Sequence, residues 1–402
     1  MRDGGGAGGG GGGPRSGGDD APGPGEPVPG GAFRRFEIDA KTHPNAVCND
    51  GTVPVFYLSR GSESDKWVIW FKGGAACGDE ASCRARSPAL SSSTPWRRID
   101  TLGDKSNPDT SEDGKAGGIL SSSASVNPDF HAWNRVYVVY CSSDEWIGTR
   151  KASPESFGMH FEGRNIALAI VDALKDGAAV GRPTLEEGTK VILAGSSAGG
   201  NGVRANIDLL ASKLGGMDVK GFADAGITPE VTPVRGAGGE EGKKARLALW
   251  QGEGDASCVA ALGASEAWRC SEGITLVTGG HISTPTFHHQ DQRDPKIMGS
   301  RSDRSADPAV ARETAEEIRD AMRGLSGAFC PAFGNHILAN DDKFTNLRVD
   351  GVSAADLFGN WYFGRSGPKV LIVEGPSAEQ QGRGGRHEGR EQGHGAKRQR
   401  NE

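Results

Sequence analysis

Val191-Ile192-Leu193-Ala194-Gly195-Ser196-Ser197-Ala198-Gly199-Gly200 passes from a continuous apolar run into a small-residue turn and then into a stretch with helical spacing. An apolar run of this length, starting at Lys190 and ending at Ala194, predicts a strand buried on both faces. After the turn, Val203, Ile207, Leu210 and Leu214 recur along one face of a helix predicted over Ala198 to Leu214. Strand, G-x-S-x-G and helix in that order form the context in which a serine sits on a tight, strained turn with its hydroxyl raised above the sheet. Residues two before and two after such a serine must be small, and Gly195 and Gly199 meet that demand around Ser197. Ser197 is therefore the candidate nucleophile. It opens a helix whose N-terminal amides and dipole favour developing negative charge. The competing readings are a glycine-rich turn that only packs strand on helix, or one that cradles a phosphate. No P-loop lysine follows these glycines, which weakens the phosphate reading.

Strands are predicted on either side at Val53 to Leu58, Trp67 to Phe71, Arg135 to Tyr140, Val219 to Ala223, Ile274 to Thr278, Thr284 to His288 and Lys369 to Val373. Helical spacing is read at Asn165 to Lys175 and at Pro308 to Leu325, with Asp307 as a cap for the second. Strands alternating with helices predict an α/β domain with a mostly parallel central sheet flanked by helices. The polar stretches Ser87 to Asn127 and Thr228 to Lys243 read as loop excursions, where binding surfaces usually sit. No fixed-period repeat is visible. The 63 glycines in 402 residues are densest in the N-terminal stretch. Residues 1–32, rich in Gly and Pro, and the polar tail 376–402 are expected to be disordered, because neither can bury enough apolar surface to offset the entropy of ordering. One domain over 33–375 remains.

Forty-six basic against 52 acidic residues give a net charge of -6, which argues against a nucleic-acid binder. No apolar run reaches the roughly 20 residues that a membrane-spanning helix needs, and no signal peptide is visible. The seven cysteines contain no C-x-x-C pair, so neither a zinc site nor any other metal is expected. The short separations Cys77 to Cys83 and Cys258 to Cys270 could each close a small loop, and Cys48 could reach Cys141 through the fold.

A serine hydroxyl needs a general base, and the base needs an acid that fixes its tautomer. Downstream of Ser197 stand His281, His288, His289, His336, His387 and His394. The last two fall in the tail, and His288 and His289 fall in or beside a strand. His336, in the loop Cys330-Pro331-Ala332-Phe333-Gly334-Asn335-His336, is free to point inward. Asp291 and Asp294 both follow the strand ending at His288, and spacing does not choose between them.

The chain resembles the pectin acetylesterase and Notum carboxylesterase family. The matching pieces run in the family's order over about residues 45 to 365. They are Cys48 to Thr52 with Tyr57-Leu58, Trp67 to Cys77, Tyr140 to Trp146, Phe161 to Asn165, the Ser197 turn, Phe287 to Asp294, and Cys330 to His336 with Trp361-Tyr362-Phe363. The resemblance implies an α/β-hydrolase-like fold and a serine carboxylesterase that needs no cofactor. Carried over by position, the nucleophile falls on Ser197, the acid on Asp294 and the base on His336. The oxyanion hole falls on the amides of Gly74, Ala75 and Ala198. The resemblance makes Cys77 with Cys83 and Cys48 with Cys141 the preferred disulfides. Cys258 with Cys270 is the weaker expectation, and Cys330 is left over. Asp144 and Trp146 are expected to brace a loop. The implied substrate is an O-acetyl ester on a polysaccharide such as pectin, acted on outside the cell or in the secretory pathway by a monomer. A lipid-ester deacylase, or an inactive binding module on the same fold, is the alternative. Two positions depart from the family pattern: Lys72 stands in place of an acidic residue before the Gly-Gly pair, and Ala75 in place of an aromatic after it. The backbone donors survive this exchange, while the wall of the acyl pocket changes.

Overall fold

The computed structural model describes residues 31–99, 101–102, 117–229, 239–299 and 308–374. The expectations for residues 1–30, for the tail 376–402 and for Asp307 lie outside them. Among the described residues, ten strands form the central sheet. They are β1 (Phe33–Glu37), β2 (Val55–Ser59), β3 (Glu63–Phe71), β4 (Thr101–Leu102), β5 (Trp133–Val138), β6 (Lys190–Ser196), β7 (Asp218–Asp224), β8 (Thr286–His289), β9 (Ala328–Cys330) and β12 (Val370–Ile372). The strands β10 (Arg348–Val349) and β11 (Val352–Ser353) pair separately. The sheet order is β12-β9-β8-β7-β6-β3-β5-β2-β1-β4. From β5 through β3, β6, β7, β8 and β9 to β12 every pair is parallel, and β2 runs antiparallel to both of its neighbours.

β6 is buried along nearly its whole length because both of its faces are covered. Val191 and Leu193 pack with Ile166, Ile170, Val203 and Ile207 of the helices Gly163–Lys175 and Ala198–Lys213. Ile192 and Ala194 point the other way, into a cluster with Phe222, Phe287, Leu357 and Phe358. Side chains alternate across a strand, so one apolar run supplies two cores.

This topology locates the site. β6 lies between β3, which precedes it in the chain, and β7, which follows it. The strand order reverses at that point, and in open α/β sheets ligands bind in the crevice beyond the carboxyl ends of the strands there. The segment after β3 and the Ser197 turn after β6 both open on this crevice, with Phe71 paired to Gly195.

One expected strand is a helix: Ile274 to Thr278 lies within the helix Gly273–Thr278. Its β-branched residues favour extended backbone, but among the described residues no strand pairs with it. The helix instead buries Ile274 and Val277 beside Ile227, Ile297 and Ile318. Thr278 Oγ1 donates to the Ile274 carbonyl at 2.8 Å, which satisfies its hydroxyl within the helix.

Three disulfides join Cys48 to Cys141, Cys77 to Cys83 and Cys258 to Cys270. Cys330 is free and buried, and burial pushes its thiol up to about 12. Among the described residues no helix is long and apolar enough to cross a membrane, and no group of three or more His, Cys, Asp or Glu residues is placed to hold a metal.

Candidate active site

Ser197 sits at the junction of β6 and the helix Ala198–Lys213 with φ 56° and ψ -122°, a backbone conformation that L residues rarely adopt. Two main-chain bonds hold it: its N–H donates to the Asp224 carbonyl at 2.8 Å, and its carbonyl accepts from Asn201 N–H at 3.0 Å. The glycines on either side are required by close approach. A Cβ on Gly199 would overlap the Phe71 carbonyl oxygen, and one on Gly195 would stand 2.6 Å from the Gly199 carbonyl oxygen. The structure thus gives the steric reason for the small residues read from the sequence.

The structure brings three separated side chains together here. His336 Nε2 lies 2.8 Å from Ser197 Oγ, and His336 Nδ1 lies 2.9 and 2.8 Å from the two carboxylate oxygens of Asp294. Asp294 is fully buried, whereas the His336 side chain keeps 21% of its surface exposed toward the crevice. Asp294 also accepts from Gln290 Nε2 at 3.0 Å and from Lys296 N–H at 2.8 Å. A carboxylate holding that many donors is fixed in place.

Asp291, the other acid that spacing allowed, does not touch His336. Its oxygens accept from Arg293 N–H at 3.0 Å and from Asn335 N–H at 3.3 Å. It therefore steadies the segment just before His336. Burial pushes its carboxyl up to about 7.

Residues after β3 supply main-chain donors. Arg86 donates to the Gly74 carbonyl at 2.7 Å and Lys72 Nζ to the Gly73 carbonyl at 3.1 Å. In a trans peptide the N–H points opposite to the C=O, so these bonds turn the amides of Ala75 and Gly74 the other way. Among the described residues neither amide donates to a protein acceptor. A Cβ on Gly73 would stand 3.0 Å from the Ser197 Cβ, which puts this segment directly against the serine. Ala198 opens the following helix. Ala75 is exposed and small, so no aromatic wall stands at that position.

Asp144 is a brace, as expected. It accepts from Ser142 Oγ at 2.6 Å, Trp146 N–H at 3.1 Å and Gly163 N–H at 2.7 Å. Burial nevertheless pushes its carboxyl up to about 6. Trp146 Nε1 donates to the Lys72 carbonyl at 3.1 Å and so braces the exit of β3.

Sequence reading gave no role to Glu145 and Asn201. Asn201 lies one helical turn after Ser197, and its Nδ2 donates to Glu145 Oε2 at 2.9 Å. Burial raises the Glu145 carboxyl, while Arg246 and Lys243 oppose that shift. Through Asn201, whose N–H donates to the Ser197 carbonyl, this carboxyl is tied to the first turn of the helix that Ser197 opens. The only sequence signal for it was a charged residue inside the quoted Tyr140 to Trp146 segment.

The arrangement pairs a hydroxyl with an imidazole and a buried carboxylate beside free main-chain donors, which suits attack on a carbonyl carbon. A family model described as Pectinacetylesterase matches residues 35–239. The palmitoleoyl-protein carboxylesterase NOTUM of Drosophila melanogaster is 30% identical over 332 residues, covering 78% of this chain and 46% of its own length. Its namesake from Schmidtea mediterranea is 31% identical over 371 residues, with 85% and 65% covered. The human protein of the same name is 28% identical over 334 residues, with 77% and 62% covered. The chain thus spans about half to two thirds of the length of these relatives. A solved structure described as the Wnt deacylase Notum from Drosophila superposes with a TM-score of 0.72 at 27% identity, covering 85% of this chain and 96% of that one. That likeness makes the fold α/β-hydrolase-like.

Proposed function

The chain belongs to the pectinacetylesterase family, and from that premise we propose that it is a serine carboxylesterase working through an acyl-enzyme. The observation that carries the reading is the 2.8 Å approach of His336 Nε2 to Ser197 Oγ, with His336 Nδ1 on Asp294. Ser197 Oγ attacks the ester carbonyl carbon as His336 takes its proton. Asp294 stabilises the imidazolium that results. The tetrahedral oxyanion is received by the amides of Gly74, Ala75 and Ala198. Collapse breaks the C–O bond, and His336 returns the proton to the departing alcohol. Water then repeats the sequence on the acyl group, freeing the acid and restoring Ser197. Each step uses groups of this chain and water alone, with no cofactor.

The substrate we assign is a short O-acyl ester, in the first place an O-acetyl group on a polysaccharide such as pectin. The description of the matching family model, Pectinacetylesterase, supports that assignment. The names of the relatives favour a second reading, removal of a lipid acyl group from a protein. Three disulfides support residence in an oxidising compartment. The esterase unit is residues 33–375, acting as a monomer, with 1–32 and 376–402 flanking it. Hydrolysis of 4-nitrophenyl esters from acetate to palmitate, beside acetate release from acetylated pectin, tests the assignment. Acetate is expected to give the highest kcat/KM and pectin to release acetate. A kcat/KM that rises with chain length, with no release from pectin, would move the chain to the lipid reading.

A further inference from the structure

Next to the Ser197, His336 and Asp294 side chains, and sharing none of them, lies a second aspartate and histidine. Asp224 ends β7 and His289 ends β8, opposite each other in register. Both are 0% exposed, so neither can touch a substrate. His289 Nδ1 and Asp224 Oδ1 are 2.6 Å apart. The other oxygen, Oδ2, accepts the N–H groups of Leu338 at 3.1 Å and Ala339 at 2.9 Å. These residues follow His336 by two and three positions. The main chain of Asp224 meanwhile accepts the Ser197 N–H at 2.8 Å, and Ala225 N–H donates to the His289 carbonyl at 2.9 Å. One residue thus grips the nucleophile's turn through its backbone and the histidine's segment through its side chain. Asp291 grips the other side of that segment through Asn335 N–H.

We propose that Asp224 and His289 are positioning residues that set the reach of His336 toward Ser197. The proposal rests on the reading of His336 as the general base. His289 holds the Asp224 carboxylate in one orientation, the carboxylate fixes the Leu338 and Ala339 amides, and those amides fix the main chain beside the imidazole. Packing alone would be served by an apolar pair, whereas a buried carboxylate collecting three N–H donors fixes directions. A displacement of about 1 Å at a reacting group lowers rates by about a hundredfold, so a small relaxation of this segment is felt in the rate.

The test compares His289→Phe, which keeps a ring near Phe329 but removes the donor, with His289→Asn, whose side-chain N–H stands near the place of Nδ1. Asp224→Asn is the second route should His289→Phe fail to fold. It must turn an N–H toward Leu338 and Ala339 or force the imidazole hydrogen onto Nε2, which is buried and has no hydrogen-bond partner. Reactive sites are counted by stoichiometric 4-nitrophenol release from diethyl 4-nitrophenyl phosphate, and kcat per counted site and KM are measured with 4-nitrophenyl acetate. His289→Phe and Asp224→Asn are expected to lower kcat per site by about 10- to 100-fold with KM within about twofold, and His289→Asn to recover most of the loss. An unchanged kcat per site in both, whatever their melting temperatures, would reduce the pair to packing. Ser197→Ala is run in parallel. If it hydrolyses as fast as the wild type, the reading of Ser197 as nucleophile and His336 as its base falls; if it is inactive while His289→Phe and Asp224→Asn are unaffected per site, only the positioning role falls.

Discussion

Ser197→Ala is expected to lower kcat for 4-nitrophenyl acetate by on the order of 10⁵-fold, because removing the nucleophile of such a relay costs about as much as removing the whole relay. The substitution deletes one hydroxyl and leaves the His336–Asp294 contact and both main-chain bonds of residue 197 available. Its melting temperature should therefore stay within about 2 °C of the wild type, as for a surface substitution. Initial rates corrected for uncatalysed hydrolysis, with a thermal melt on the same sample, measure both quantities. Residual activity of one tenth or more in a folded Ser197→Ala protein would mean that another group attacks the ester.

Asp294→Asn is expected to lower kcat by about 10⁴-fold with little change in KM, since an amide stabilises the wrong tautomer of the imidazole and no longer offsets its positive charge. Asp294 now accepts from His336, Gln290 and Lys296, and an amide offers one oxygen for donors that occupy two. Asp291→Asn is the control, because Asp291 bonds to Arg293 and Asn335 rather than to the imidazole. Its kcat should stay within about tenfold of the wild type, its effect passing only through the main chain beside His336. The same variant has a stability signature. A carboxyl held at about 7 in the folded protein binds its proton more tightly there than in the unfolded chain. It therefore favours folding at low pH, and that contribution is lost as the pH rises from about 4 to about 7. The melting temperature of Asp291→Asn should gain on the wild type between pH 5 and pH 8. Equal kinetic losses in Asp294→Asn and Asp291→Asn would contradict the assignment of the acid.

The contrast between these two aspartates marks how far the sequence could be read. Both follow the same strand within a few residues, and which one turns toward His336 depends on the cap of the short helix Pro295–Gly299, which spacing does not encode. Resemblance chose Asp294, and the geometry places that residue against the imidazole. Ser197 was legible because its constraint is local: a buried strand, two glycines forced by contact with neighbouring carbonyls, and a helix. The paired segments β3, β5, β6 and β7 were legible as continuous apolar runs. β9 was missed because three residues, Ala328 to Cys330, carry no periodicity, although this strand leads into the His336 segment. β1 was missed because its apolar Phe33 and Phe36 flank two arginines in a glycine-rich approach. The Ile274 to Thr278 run reads as a strand because a short apolar run does not reveal its partners. Asp224 and His289 went unassigned for a related reason. Each sits at the end of a strand, Asp224 between two alanines and His289 within a polar run, and only the strand order makes them neighbours.

A Ser197 hydroxyl activated by His336 is a nucleophile that an organophosphate traps covalently. Incubation with diethyl 4-nitrophenyl phosphate followed by intact-mass and peptide analysis measures that directly. One diethylphosphoryl group per chain is expected, located on Ser197, with its rate of appearance lowered by at least about a hundredfold in His336→Ala, the contribution typical of a positioned base. A label on any other residue, or one that forms on Ser197 equally fast without the imidazole, would contradict it.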